Sequence, residues 1–153
     1  MNLLLDTHVV IWFITDDKKL PRQLDEQIKN ENNKCFVSVA SLWELGVKYS
    51  LNRLDIKSSL REIFQIIENS GFDILPVIPE HIITNSTLYF HHRDPFDRII
   101  IAQGIEEGIA ILTKDIKFSL YEVNTVWDDS DTSAVAEPKA HYRKKRRKSV
   151  YAG

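Results

Sequence analysis

An α/β domain built on a mostly parallel sheet is the fold class this sequence predicts, and three observations lead to it. Four short runs of strand-forming residues, at 2–5, 35–39, 73–77 and 109–112, are spread along the chain. Segments with apolar residues at helical spacing separate them. The runs give way to turn or helix-start residues, and strands that alternate with helices pair in parallel through crossovers.

Each element has its own signal. Residues 2–5 read as a buried strand ended by Asp6-Thr7, and the apolar stretch 9–14 as a helix or turn packed beside it. Leu20-Pro21 opens a polar helix with Leu24 and Ile28 on one face, which fades in the loop 30–34. The run 35–39 suits a second buried strand. Ser41-Leu-Trp-Glu44 matches a capping box, so a helix is expected to start at Ser41 and continue through Leu42, Leu45 and Tyr49. Residues 58–70 repeat the helical pattern with Leu60, Ile63, Phe64 and Ile67, and Gly71 stops it. A third strand is expected at 73–77, and a helix from Pro79 to about Phe90. Asp94 as cap and Pro95 at the first helical position then mark a clear helix start; that helix carries Ile99, Ile100, Ala102 and Ile105 and ends at Gly108. Residues 109–112 form the fourth strand, broken by Thr113-Lys114-Asp115, and 125–127 a short fifth.

At 153 residues the chain suits one core. No apolar run approaches the ~20 residues of a membrane span and no export signal is evident, so a cytoplasmic protein is expected. Cys35 has no partner for a disulfide and sits in an apolar run, which makes it inert packing. Charge is uneven. Residues 130–153 carry seven Lys or Arg against Asp131 and Glu137, a net +5 that leaves −7 on residues 1–129 within the total of −2. The sequence therefore divides into an acidic domain, 1–129, and a basic tail, 130–153, expected to be disordered. The run from Arg143 to Lys148 suits electrostatic contact with nucleic acid, and equally a neutral extension.

Four acids stand where apolar segments give way to turns or helix starts. Asp6 ends the first strand, Glu44 follows the second, and Asp115 lies just beyond the fourth. The helix that begins at Asp94 and carries Asp97 runs antiparallel to the fourth strand and is of comparable length, so its start falls at the same edge. Each acid alone has a capping explanation. Together they repel, by roughly 4 kcal/mol for a pair about 4 Å apart at an effective dielectric of 20, and a divalent cation removes that cost. Carboxylate oxygens suit Mg²⁺ or Mn²⁺, whereas zinc spacings and a Gly-rich phosphate loop are missing. Hydrated Mg²⁺ among carboxylates suits phosphodiester hydrolysis.

The motifs Leu-Leu-Asp6-Thr7-His-Val-Val-Ile-Trp, Ser38-Val-Ala-Ser41-Leu-Trp-Glu44-Leu, His92-Arg-Asp94-Pro-Phe-Asp97-Arg-Ile-Ile-Ile-Ala-Gln103 and Ile-Leu-Thr113-Lys-Asp115 resemble, in order, those of PIN-domain ribonucleases. They are most similar to the VapC-type toxins of bacterial toxin-antitoxin pairs. The resemblance covers residues 2–127 and leaves the tail outside. It implies a three-layer α/β/α fold, Mg²⁺- or Mn²⁺-dependent cleavage of RNA, a homodimer, and inhibition by a cognate antitoxin. It also implies that Asp6 and Asp97 are the principal metal ligands, that Glu44 and Asp115 complete the acidic site, and that Thr113 orients a ligand or water. Asp94 matches the family motif too, but reads as a helix cap.

Arg93, Arg98, Lys48, Lys114 and Lys117 flank these motifs as candidate contacts to RNA phosphates, each with a solvated-surface alternative. His8 is expected in a core or hydrogen-bonding role, His91 and His92 have no evident partner, and Trp12 and Trp43 are expected mostly in the core. Two rival classes stand beside the nuclease. One is a metal- or RNA-binding module of the same fold that performs no chemistry. The other is a phosphoacceptor domain, disfavoured because no second acid adjoins Asp6.

Overall fold

The computed structural model describes residues 1–129; the expected basic tail lies outside them. Five strands, β1 (Asn2–Leu5), β2 (Lys34–Ser38), β3 (Asp73–Leu75), β4 (Ala110–Leu112) and β5 (Thr125–Val126), form one sheet in the order β3-β2-β1-β4-β5. Every neighbouring pair is parallel. Six α-helices occupy the connections: α1 (Thr7–Ile14), α2 (Arg22–Lys29), α3 (Val39–Ser50), α4 (Leu60–Asn69), α5 (Pro79–Ser86) and α6 (Pro95–Glu107). A 3-10 helix, Ile116–Leu120, precedes β5. None of the described helices is long and apolar enough to cross a membrane.

Alternation along the strands builds two cores. Leu3 and Leu5 of β1, Val37 of β2 and Leu112 of β4 face one side, where Val9, Val10, Leu24, Ile28, Leu45, Ile63 and Ile67 of α1 to α4 cover them. Leu4 and Ile111 face the other side and pack on Ile100 and Ile101 of α6, with Phe118 and Tyr121. Successive side chains of a strand point to opposite faces, so a strand buried on both sides must read as an unbroken apolar run. β1 does, and Leu3, Leu4 and Leu5 are all fully buried. Each such leucine contributes about 1.5–3 kcal/mol by leaving water. Helices above and below one parallel sheet give the expected three-layer α/β/α arrangement. Cys35 lies buried in the first core, where burial pushes its thiol up to about 11.

Local chemistry sets the helix ends. Asp94 accepts hydrogen bonds from the backbone N–H groups of Phe96 (2.9 Å) and Asp97 (3.0 Å), Pro95 follows at the first helical position, and Gly108 closes α6 at φ 66°. Gly71 sits at φ 82° just after α4, where a side chain would be strained. α6 lies so close to β4 that a Cβ on Gly104 would come 2.9 Å from Ile111 Cδ1 and 3.0 Å from Val123 Cγ2.

Four expectations need correction. α3 starts at Val39, because Ser38 caps it by accepting from the Ala40 N–H at 3.0 Å. Ser41 is therefore inside the helix, its hydroxyl accepting from Thr7 Oγ1 at 2.8 Å, and Glu44 falls in the second turn. α5 ends at Ser86 and not near Phe90, with the Ser86 and Thr87 hydroxyls donating to the Ile83 and Thr84 carbonyls. His8 is exposed on α1, its ring 6.0 Å from that of Trp12. Trp43 is 68% exposed, beside Phe96 at 5.1 Å, so it is not a core residue.

Candidate active site

β1 is first in sequence and central in the sheet, flanked by β2 and β4. The strand order reverses there, and the crevice outside the carboxyl ends of strands at such a point is where ligands bind in open α/β sheets. Asp6 leaves the end of β1 into it. Thr113 leaves the end of β4 beside it and donates from Oγ1 to Asp6 Oδ2 at 2.9 Å. The same Thr113 oxygen accepts from the Asp115 N–H at 3.1 Å, while Asp115 Oδ1 caps the 3-10 helix by accepting from the Lys117 N–H at 2.9 Å. One hydroxyl thus ties the first acid to the last.

Glu44 reaches the crevice from α3 and is buried, with Oε2 paired to Lys48 Nζ at 3.0 Å. Asp97 comes from the first turn of α6, positioned by the Asp94 cap. The four acids feel one another. Burial, and then the charges of Asp6, Asp94, Glu44 and Asp115, push the Asp97 carboxyl up to about 8. Burial also raises Asp6, against the Thr113 hydroxyl and the His8 charge, and Glu44 adds to the rise.

Among the described residues, no three His, Cys, Asp or Glu side chains are drawn together as a finished metal cage. Two carboxylate oxygens nonetheless have acceptor capacity that a cation could fill. Asp6 Oδ1 and Glu44 Oε1 are buried without a hydrogen-bond partner, at a cost of about 1–3 kcal/mol each or more for charged groups. Carboxylates with unmet acceptor capacity and mutual repulsion are the donor set that a hard ion such as Mg²⁺ or Mn²⁺ suits.

The other expected site residues divide. Asp94 is a cap. Arg93, Lys114 and Lys117 are exposed beside the acids. Lys48 is committed to Glu44. Arg98 is turned inward and only 5% exposed, so its guanidinium is not open to a phosphate as expected. It donates to the Tyr89 carbonyl (2.9 Å), the Tyr121 hydroxyl (3.1 Å) and the Leu88 carbonyl (3.2 Å), and stacks on Phe90 at 4.1 Å.

One neighbour of the acids has a partner that the local sequence does not show. His92 Nε2 lies 3.3 Å from Asp97 Oδ2, and its Nδ1 lies 2.8 Å from the Tyr121 hydroxyl. Burial holds this imidazole below its ordinary value, partly offset by the charges of Asp115 and Asp94. Nothing in the local sequence pairs residues 92 and 121; the short segment 88–94 meets the 3-10 turn only in three dimensions.

Comparison with known proteins agrees with this architecture. The fold is similar to that of VapBC2 from Rickettsia felis, solved bound to a DNA fragment from its promoter (TM-score 0.64, 19% identity, 82% of this chain and 97% of that one). It is likewise similar to DNA-bound VapBC from Salmonella typhimurium (TM-score 0.61, 16% identity, 82% and 96%) and to FitAcB from Neisseria gonorrhoeae (TM-score 0.56, 18% identity, 80% and 95%). No curated protein matches at the level of sequence. The sequence model of the PIN domain matches residues 3–124, a span that begins on β1, takes in all four acids and stops one residue short of β5. This chain belongs to the PIN domain family.

Proposed function

We propose that this chain is a metal-dependent endoribonuclease of the VapC type, the toxic member of a toxin-antitoxin pair. The observation that carries the reading is the gathering of Asp6, Glu44, Asp97 and Asp115 from four separate segments to one crevice, where burial first and then the neighbouring acids raise Asp97 to about 8. A fold needing only helix caps has no reason to accept that repulsion. Asp6 and Asp97 would hold Mg²⁺ or Mn²⁺, with Glu44 and Asp115 completing the set. When bound, the ion supplies Lewis-acid polarisation of a phosphoryl oxygen and activation of water.

The chain's own residues do the rest. Thr113 fixes Oδ2 of Asp6, which leaves Oδ1 as the free donor atom. The Asp94 cap fixes the start of α6 and with it Asp97. Arg93, Lys114 and Lys117 supply exposed positive charge beside an otherwise acidic surface, where they would take the phosphates of an RNA strand. Partners in this reading are a cognate antitoxin and a second copy of the chain. Support for the first comes from the shared fold with VapBC and FitAcB.

The test is cleavage of a fluorescent RNA by the purified full-length chain. Activity is expected with Mg²⁺ or Mn²⁺, is lost in EDTA, and falls at least about 100-fold in Asp6→Asn and in Asp97→Asn. Wild-type cleavage by either variant overturns the proposal.

A further inference from the structure

We propose that His92 is a positioning residue for Asp97, and that Tyr121 and Arg98 set its working tautomer. The proposal rests on the reading of Asp97 as a metal ligand and extends it to the residues that hold that ligand in place.

The argument is one of valence. A tyrosine hydroxyl carries one proton and accepts at most two hydrogen bonds. Arg98 Nη1 donates to the Tyr121 oxygen at 3.1 Å, and the His92 backbone N–H donates to it at 3.3 Å. Arginine is always a donor, and so is a backbone amide. The oxygen's acceptor capacity is then taken, and the hydroxyl proton goes to His92 Nδ1 at 2.8 Å. A bare Nδ1 places the imidazole proton on Nε2. That atom faces Asp97 Oδ2 at 3.3 Å.

Each member of this chain is immobilised. Arg98 is clamped by the Leu88 and Tyr89 carbonyls and the Phe90 ring. Tyr121 is 4% exposed, and the His92 side chain is 8% exposed. The His92 ring lies between Tyr121 at 5.5 Å and Phe118 at 6.3 Å. The N–H therefore points in a fixed direction, and it restrains one oxygen of a carboxylate that sits in the first turn of α6. Groups that orient a ligand in this way are worth 10- to 100-fold in metal affinity. His92 touches neither substrate nor ion in this scheme, and Asp94 performs the complementary task from the backbone side.

The test uses the full chain with Mn²⁺ as probe. Two-dimensional ¹⁵N spectra of the metal-free wild type should show His92 as the Nε2–H tautomer, and Tyr121→Phe, which leaves the ring packing in place, should mix the two tautomers. Mn²⁺ affinity by calorimetry should fall roughly 10- to 100-fold in His92→Ala, whereas His92→Gln, whose amide can donate in place of Nε2, should recover most of it. An Nδ1–H tautomer in the wild type overturns the proposal. So does unchanged Mn²⁺ affinity in His92→Ala when Asp97→Asn abolishes binding, and in that case the metal-site reading stands. If Asp97→Asn and Asp6→Asn both keep wild-type Mn²⁺ affinity, the metal-site reading falls and takes this proposal with it.

Discussion

Replacing Asp97 with Asn should make the metal-free protein more stable at alkaline pH. The Asp97 carboxyl is raised from 3.8 to about 8 by burial and by its acidic neighbours. A carboxyl whose folded pKa lies above its unfolded one binds its proton more tightly when folded, so stability falls as pH rises from about 4 to about 8. Each unit corresponds to about 1.4 kcal/mol, which over about four units gives a ceiling of about 6 kcal/mol. The side chain keeps 16% of its exposure, and solvent screening with local relaxation reduces this to about 2–3 kcal/mol. Asn has no charge to bury. For a chain of this size the variant should melt about 5–10 °C above wild type at pH 8.5 in EDTA. At pH 5 the gain should shrink to a fraction of that. On the proposed metal-site reading, saturating Mg²⁺ should narrow or reverse the difference at pH 8.5, because only the wild type would gain from binding. The assay is thermal unfolding of both proteins at the two pH values, with and without metal. A gain of equal size at pH 5 and 8.5, or a less stable variant at pH 8.5, would refute the reasoning.

Thr113→Val keeps the shape of the side chain but removes the donor to Asp6 and the acceptor for the Asp115 N–H; a stability loss of about 1–3 kcal/mol is expected in urea, with RNA cleavage reduced further than stability explains. Asp94→Ala should cost about 1 kcal/mol by removing the cap of α6, with Asp94→Asn retaining most of it, as read from denaturation midpoints. Gly104→Ala should destabilise by about 1–3 kcal/mol, since the new methyl meets Ile111 and Val123 at 3.0 Å or less; an unchanged midpoint would show that β4 and α6 separate freely.

The sequence made some parts of this protein plain and hid others for physical reasons. β1 was legible because a strand buried on both faces must be continuously apolar, and Asp6 because it is the first residue to break that run. α6 was legible because Asp94 and Pro95 act locally. The start of α3 is obscured in the sequence because two serines compete for the cap, and Ser38, the last residue of β2, takes it while Thr7, from another helix, occupies Ser41. The end of α5 was misread because Leu88, Tyr89 and Phe90 continue its apolar character. They serve instead as a cradle for Arg98, with two carbonyls and a ring. Arg98 itself looked like a surface cation beside an acidic motif, and only the fold shows it buried. His92 stands in the same motif as Asp97, but its other partner, Tyr121, lies 29 residues away and only the fold brings the two together.

The hydrogen bond between Thr113 and Asp6 spans 107 positions of the chain. Asp6 leaves the ribosome 107 residues ahead of its donor, which follows the neighbouring strand β4. At about 5–20 residues per second, roughly 5–20 s pass between the two. Throughout that interval the emerging polypeptide carries Asp6 and then Glu44 without the partner that orients the first of them, and with β1 unpaired on its β4 side. The crevice is therefore unfinished until β4 has been made. A polypeptide that stops before Thr113 leaves Asp6 without its donor and β1 without its β4 neighbour.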